Sequence, residues 1–143
     1  MSFGTFYKVE DLVRGDFVGK ITKGNWYDAL GKIEIQNYES CGVEESIPAW
    51  VLALKNEDEP LNLLFQGELR AKQDEYDDPD VVFLGKDLIR SVVTVIENKA
   101  RPYFQSLLND VNCSPDFWVY DSMASFLKDA ADDNKAVIIM WGG

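Results

Sequence analysis

The sequence predicts one α+β domain over residues 1–143, a small mixed or antiparallel sheet packed by about four helices. Three observations predict it. Ala136-Val137-Ile138-Ile139-Met140-Trp141 is a near-continuous apolar run of strand length, which suits an interior strand covered on both faces. Just before it, Met123, Phe126, Leu127, Ala130 and Ala131 fall at i, i+3, i+4, i+7 and i+8, so they share one face of a helix. The N-terminal third holds short alternating apolar–polar pieces punctuated by Gly15, Gly19, Gly24 and Gly31, a strand-and-turn pattern.

In chain order, strands are expected at 3–9, 17–21 and 32–36, with Gly24-Asn25-Trp26-Tyr27 forming a turn whose two aromatics anchor a loop. Ile47, Trp50, Val51 and Leu54 lie at i, i+3, i+4 and i+7, a helix with Ser46 as its cap and Pro48 in its first turn. Glu57-Asp58-Glu59-Pro60 ends that helix. Residues 61–69 fit neither period. Val81-Val82-Phe83-Leu84 leads into a helix over 87–99, with Asp87 placed to cap it. Pro102 cannot sit inside that helix, so a second one begins there and runs to 109. Trp118 and Tyr120, with Met123 and Phe126 following, are expected to close the core, although such a cluster also suits ligand stacking. The last helix should pack on the last strand through Met123, Phe126, Leu127 and Ala130. Full burial of the Phe126 ring would make Phe126→Ala cost about 3 to 5 kcal/mol.

With 46% hydrophobic and 13% aromatic residues, the chain has the material for one sizeable core without disulfides or metals. The two cysteines, Cys41 and Cys113, have no paired spacing and read as small, partly buried thiols. The first residues lack the basic start and apolar run of a signal peptide, and nowhere do about eighteen apolar residues follow one another. The expected location is cytoplasmic.

Chemistry is constrained mainly by what is missing. There is no histidine, so Ser-His and Cys-His nucleophilic schemes and the usual zinc and non-haem iron sites are excluded. No GxGxxG, GxxxxGK[ST] or GxSxG occurs. The carboxylates are many, yet no spacing singles out two that would converge as an acid and base. The sequence therefore assigns no catalytic residue, no metal ligand and no cofactor, and predicts no enzyme.

Charge is the strongest positive signal. Asp and Glu number 25 against 14 Lys and Arg, a net charge of −11. A surface of this sign repels nucleic acid and anionic membrane and steers cationic proteins toward it. The densest concentrations are Glu57, Asp58 and Glu59, and Asp74, Glu75, Tyr76, Asp77, Asp78 and Asp80. The longer run lacks the glycine and distal glutamate of a calcium-binding EF-hand loop. It reads either as a solvated loop or as a docking surface for a basic protein, and Tyr76 favours docking because tyrosine is enriched in binding hot spots.

Val82-Phe83-Leu84 before Asp87-Leu88-Ile89, then Phe126, Ala130-Ala131 and Lys135-Ala136-Val137-Ile138, resemble the C-terminal half of the YfbM-like family of small bacterial proteins. That resemblance implies an α+β fold and carries no activity with it. In profile the chain is also similar to the bacterial immunity proteins that neutralise polymorphic toxins, which are small, acidic, cytoplasmic and free of catalytic motifs. The resulting expectation is an immunity-type protein that occludes a cognate toxin with an acidic face. The alternatives are a YfbM-like housekeeping role and a carboxylate-dependent enzyme.

Overall fold

The computed structural model describes residues 3–19, 40–42, 46–71 and 79–142. Among them five strands, β1 (Phe3–Val9), β2 (Ser40–Gly42), β3 (Leu69–Arg70), β4 (Asp80–Leu84) and β5 (Ala136–Gly142), form one sheet in the order β2-β1-β5-β4-β3. Every pairing is antiparallel. The apolar C-terminal run is thus an interior strand, flanked by β1 along its full length and by β4. The expected strand at 32–36 and the 24–27 turn lie outside the described residues.

Side chains alternate across this sheet with period two. Phe6, Val82, Leu84, Val137, Ile139 and Trp141 join one buried cluster, whereas Tyr7, Val9, Val81, Phe83, Ala136 and Ile138 join another. The register makes the layers explicit: Phe6 and Val82 flank Ile139, and Tyr7 and Phe83 flank Ile138. Both faces of β5 are therefore dry, which is why its sequence could not alternate. Each of the valine, leucine, isoleucine and phenylalanine side chains contributes about 1.5 to 3 kcal/mol of burial.

Five helices follow among the described residues: α1 (Val13–Gly19), α2 (Ile47–Leu54), α3 (Lys86–Asn98), α4 (Arg101–Asp110) and α5 (Tyr120–Asp132). Helices α2 to α5 supply the first cluster with Trp50, Leu54, Ile89, Val92, Ile96, Phe104, Leu108, Met123, Leu127 and Ala130. Helix α1 corrects the expected strand at 17–21 over residues 17–19, the rest of it lying outside the described residues. Val13 and Phe17 are four residues apart, so a helix brings both onto the second face, where the Phe17 and Phe83 rings lie 5.6 Å apart. The unassigned 61–69 segment resolves into a 3-10 turn, Leu61–Leu63, a turn at Gly67, and strand β3.

The capping expectations also change. Ser46 precedes α2 as foreseen, but its side chain makes no capping bond. Helix α3 starts one residue earlier than expected, with Gly85 rather than Asp87 at the cap position. Its first amides are satisfied from far along the chain: Gly85 donates to Glu68 Oε1 at 2.9 Å and Lys86 donates to Asp11 Oδ1 at 2.9 Å. Glu68 is itself held by Arg14 at 2.8 Å. Asp87 lies in the first turn, where its charge favours the helix dipole.

Phe126 is only partly buried, and its ring meets Phe6 edge-on at 6.3 Å. The helix α5 face is otherwise as expected, with Met123, Leu127 and Ala130 buried.

Among the described residues, Lys8 is the charged residue that this packing encloses. It lies on β1, nearly buried, and its ammonium donates to Asp133 Oδ2 at 2.7 Å, just past the end of α5. That hydrogen bond, reinforced by the charges of Lys8 and Lys135, holds the Asp133 carboxyl below its ordinary range. A depressed folded value means that the stabilisation is complete above the unfolded aspartate range and is lost as pH falls through the folded value. The difference in melting temperature between the parent and Asp133→Asn is therefore expected to shrink as pH falls through and below the ordinary aspartate range. A difference that is unchanged by acid would show that the pair does not couple to folding.

Candidate functional site

Helix α2 ends at Leu54, and the chain turns there as the Glu57 amide donates to the Leu54 carbonyl at 3.0 Å. This turn delivers Glu57, Asp58 and Glu59 to the rim of a recess of about 320 Å³, completed by Asn56, Leu61, Val95, Lys99 and Tyr103. The Tyr103 hydroxyl donates to Glu57 Oε1. This bond, then burial, then the charges of Glu57 and Asp58, push the Tyr103 phenol up from its ordinary value. Lys99 Nζ lies 4.5 Å from the centre of the Tyr103 ring. Asp58 and Glu59 are exposed and have no cation within ion-pair distance among the described residues. The recess thus offers two uncommitted carboxylates beside a fixed tyrosine, an arrangement suited to a guanidinium or ammonium group.

Asp80, the last acidic residue of the longer run, is the first residue of β4. Its carboxylate accepts from Arg70 Nη2 at 2.8 Å, across the β3–β4 pair. It is therefore partly committed within the fold. Lys55, two residues before Glu57, lines a cleft with Arg70 and Trp141, and Trp141 pairs with Asp80 in the sheet. The Glu57–Glu59 turn and the Asp80 end of β4 thus lie at the same end of the sheet. Asp74, Glu75, Tyr76, Asp77 and Asp78 lie outside the described residues. Among the described residues no group of three or more acidic or cysteine side chains is placed to hold a metal ion.

The aromatic cluster divides. Trp50 is 1% exposed, its Nε1 donates to the Asp116 carbonyl at 3.2 Å, and its ring faces Phe117 and Tyr120 at 6.3 and 5.9 Å. Phe117 stacks on Tyr120 at 5.1 Å, and Phe104 lies 5.0 Å from Tyr120 on the other side. Burial pushes the Tyr120 phenol up, Asp121 adds to this, and Arg101 opposes it. Tyr120 therefore closes the core as expected. Trp118 does not: it is 65% exposed, because the 3-10 turn Ser114–Val119 sends Phe117 and Val119 inward and leaves Trp118 outside. Cys113 is a half-buried free thiol.

Sequence reasoning located the three carboxylates of the recess but missed Val95, Lys99 and Tyr103. Tyr103 is 46 residues from its partner Glu57, and no local spacing signals that meeting. The available hint was the α3–α4 boundary, where Lys99 and Tyr103 bracket Pro102.

These features define an α+β protein with an antiparallel sheet, its helices mostly on one face, and an acidic recess at one end. A solved structure of the same fold is that of YfbM from Escherichia coli, a protein of unknown function. It matches with a TM-score of 0.68 over 97% of this chain and 99% of that one, at 10% sequence identity. The YfbM-like resemblance read from Val82 onward thus extends, as fold, across nearly the whole chain. No protein-family model matches the sequence, and no curated protein matches it. Among the described residues no helix is long and apolar enough to cross a membrane.

Proposed function

We propose that the chain is a cytoplasmic, non-enzymatic binding protein of the immunity type, which neutralises a basic toxin or effector by covering it with its acidic end. The observation that supports this most is the recess at Glu57, Asp58 and Glu59, with its two uncommitted carboxylates beside the Tyr103–Glu57 hydrogen bond. A basic side chain of the partner enters the recess, while Asp74, Glu75, Asp77 and Asp78 supply the long-range field. Exposed charges of this kind chiefly accelerate encounter and select the partner, and buried anchors set the residence time.

The test uses the product of the adjoining reading frame, co-expressed with this chain and then measured for association. Protection from a toxic product is expected, and it should weaken when Asp58→Asn and Glu59→Gln are combined with Asp74→Asn, Glu75→Gln, Asp77→Asn and Asp78→Asn. Association at low salt should slow by about tenfold or more and lose most of its salt dependence, with the melting temperature unchanged. Equal rates and equal salt slopes would overturn the docking assignment. A second reading, prompted by the fold shared with YfbM, is a YfbM-like housekeeping protein of unknown role. A metabolic neighbourhood with no toxic product would support it.

A further inference from the structure

The positive charges of this acidic chain are mostly spent. Lys8, Arg14, Arg70, Arg90, Arg101 and Lys135 all pair with carboxylates. Among the described residues, Lys55, Lys86, Lys99 and Lys128 have no such partner. Two of these, Lys99 and Lys128, line one groove of about 400 Å³ with Arg101, Ser125, Tyr120, Ile96 and Ala124.

Arg101 is oriented there by a two-point ion pair. Its Nε and Nη2 donate to the two oxygens of Asp121 at 3.1 and 2.9 Å, and its guanidinium lies 5.1 Å from the centre of the Phe117 ring. Its Nη1 makes no hydrogen bond among the described residues, and neither does the Ser125 hydroxyl. Asp121, Ser125 and Lys128 follow one another along a face of α5, so Ser125 and Lys128 share the side of the helix that carries the partner of Arg101. The groove also adjoins the N-terminus of α4, whose dipole adds to the positive field. Asp121 is neutralised by Arg101, leaving Glu97 as the uncommitted carboxylate of the lining. Ile96, Ala124 and the Tyr120 ring give the groove an apolar side.

We propose that this groove binds a small organic phosphate, with the phosphoryl oxygens taken by Lys99, Lys128, Arg101 Nη1 and Ser125 Oγ, and the organic part lying against Ile96, Ala124 and Tyr120. A phosphate fits better than a carboxylate because the donors come from more than one element, the α3–α4 junction and α5, and both ammonium groups lack a carboxylate partner. A planar two-oxygen anion would leave some of them unused.

Phenyl phosphate is the probe, titrated against the full chain and followed by amide chemical shifts, with benzoate in parallel. Saturable shifts are expected over residues 96–101 and 120–128. Lys128→Met should weaken binding by about three- to fivefold, and Lys99→Met by a similar factor. Lys128→Met is the cleaner variant, since Lys99 also borders the acidic recess. Lys55→Met removes an equally unpaired lysine elsewhere and should leave binding unchanged. Non-saturable shifts, an equal loss in Lys55→Met, or benzoate binding as tight as phenyl phosphate would each overturn the assignment.

Discussion

Replacing Trp50 by alanine is expected to destabilise the protein by about 3 to 5 kcal/mol. The ring is fully enclosed, and it supports the Phe117–Tyr120 stack from below. Its loss removes the contacts that hold the 3-10 turn Ser114–Val119 to helix α2, and it leaves the Asp116 carbonyl without the indole donor. Phe126→Ala should cost less, below about 3 kcal/mol, because that ring is only partly buried and the site can collapse around it. Urea midpoints measured for both variants, with unchanged slopes, would check the order. A Trp50→Ala midpoint at the parent value would mean that the Phe117–Tyr120 stack stands without its support.

The contrast between these two aromatics shows what a linear pattern can and cannot convey. Periodicity placed Met123, Leu127 and Ala130 on one face of α5, and the continuous run at 136–141 placed β5 inside the sheet, since both properties are written in neighbouring residues. Phe126 obeys the same spacing, yet lies at the edge of the stripe. How deep it sits depends on β1, more than a hundred residues earlier. Val13 and Phe17 fit a short helix only once Phe83 and Ile138 are known to wait for them, and glycines on either side made a strand the simpler reading. The start of α3 was missed in its chemistry because Asp11 and Glu68 cap it from a distance, and nothing near Gly85 in sequence announces them. The recess was legible as charge at 57–59. It was not legible as a cavity, because its far wall comes from α3 and α4.

Gly67 is the position where a small change should do disproportionate harm. Its φ is +69°, and a Cβ there would lie 2.7 Å from Val82 Cβ, 3.0 Å from the Phe83 carbonyl oxygen and 3.2 Å from the Leu69 carbonyl oxygen. The chain leaves the 61–63 turn at this point, with the Gly67 amide donating to Leu63 at 2.7 Å and the next amide donating to Phe83 at 2.8 Å. The obstructing atoms belong to strands β3 and β4, and β4 is fixed by its ladder to β5, so the clash cannot be relieved by a side-chain rotation. Gly67→Ala combines the cost of a left-handed L residue with overpacking, and should lose about 2 to 5 kcal/mol. Gly67→Asn separates the two causes, because asparagine tolerates the left-handed backbone but still carries the Cβ. If contact dominates, Asn should recover little of the loss; if backbone strain alone dominates, it should recover most. Gly15→Ala gives the opposite sign: within α1 a Cβ meets nothing within 4 Å, and the substitution should gain about 0.5 to 1 kcal/mol. Thermal melts of the three variants decide the matter, and a Gly67→Ala protein that melts with the parent would show that β3 does not hold this turn against β4.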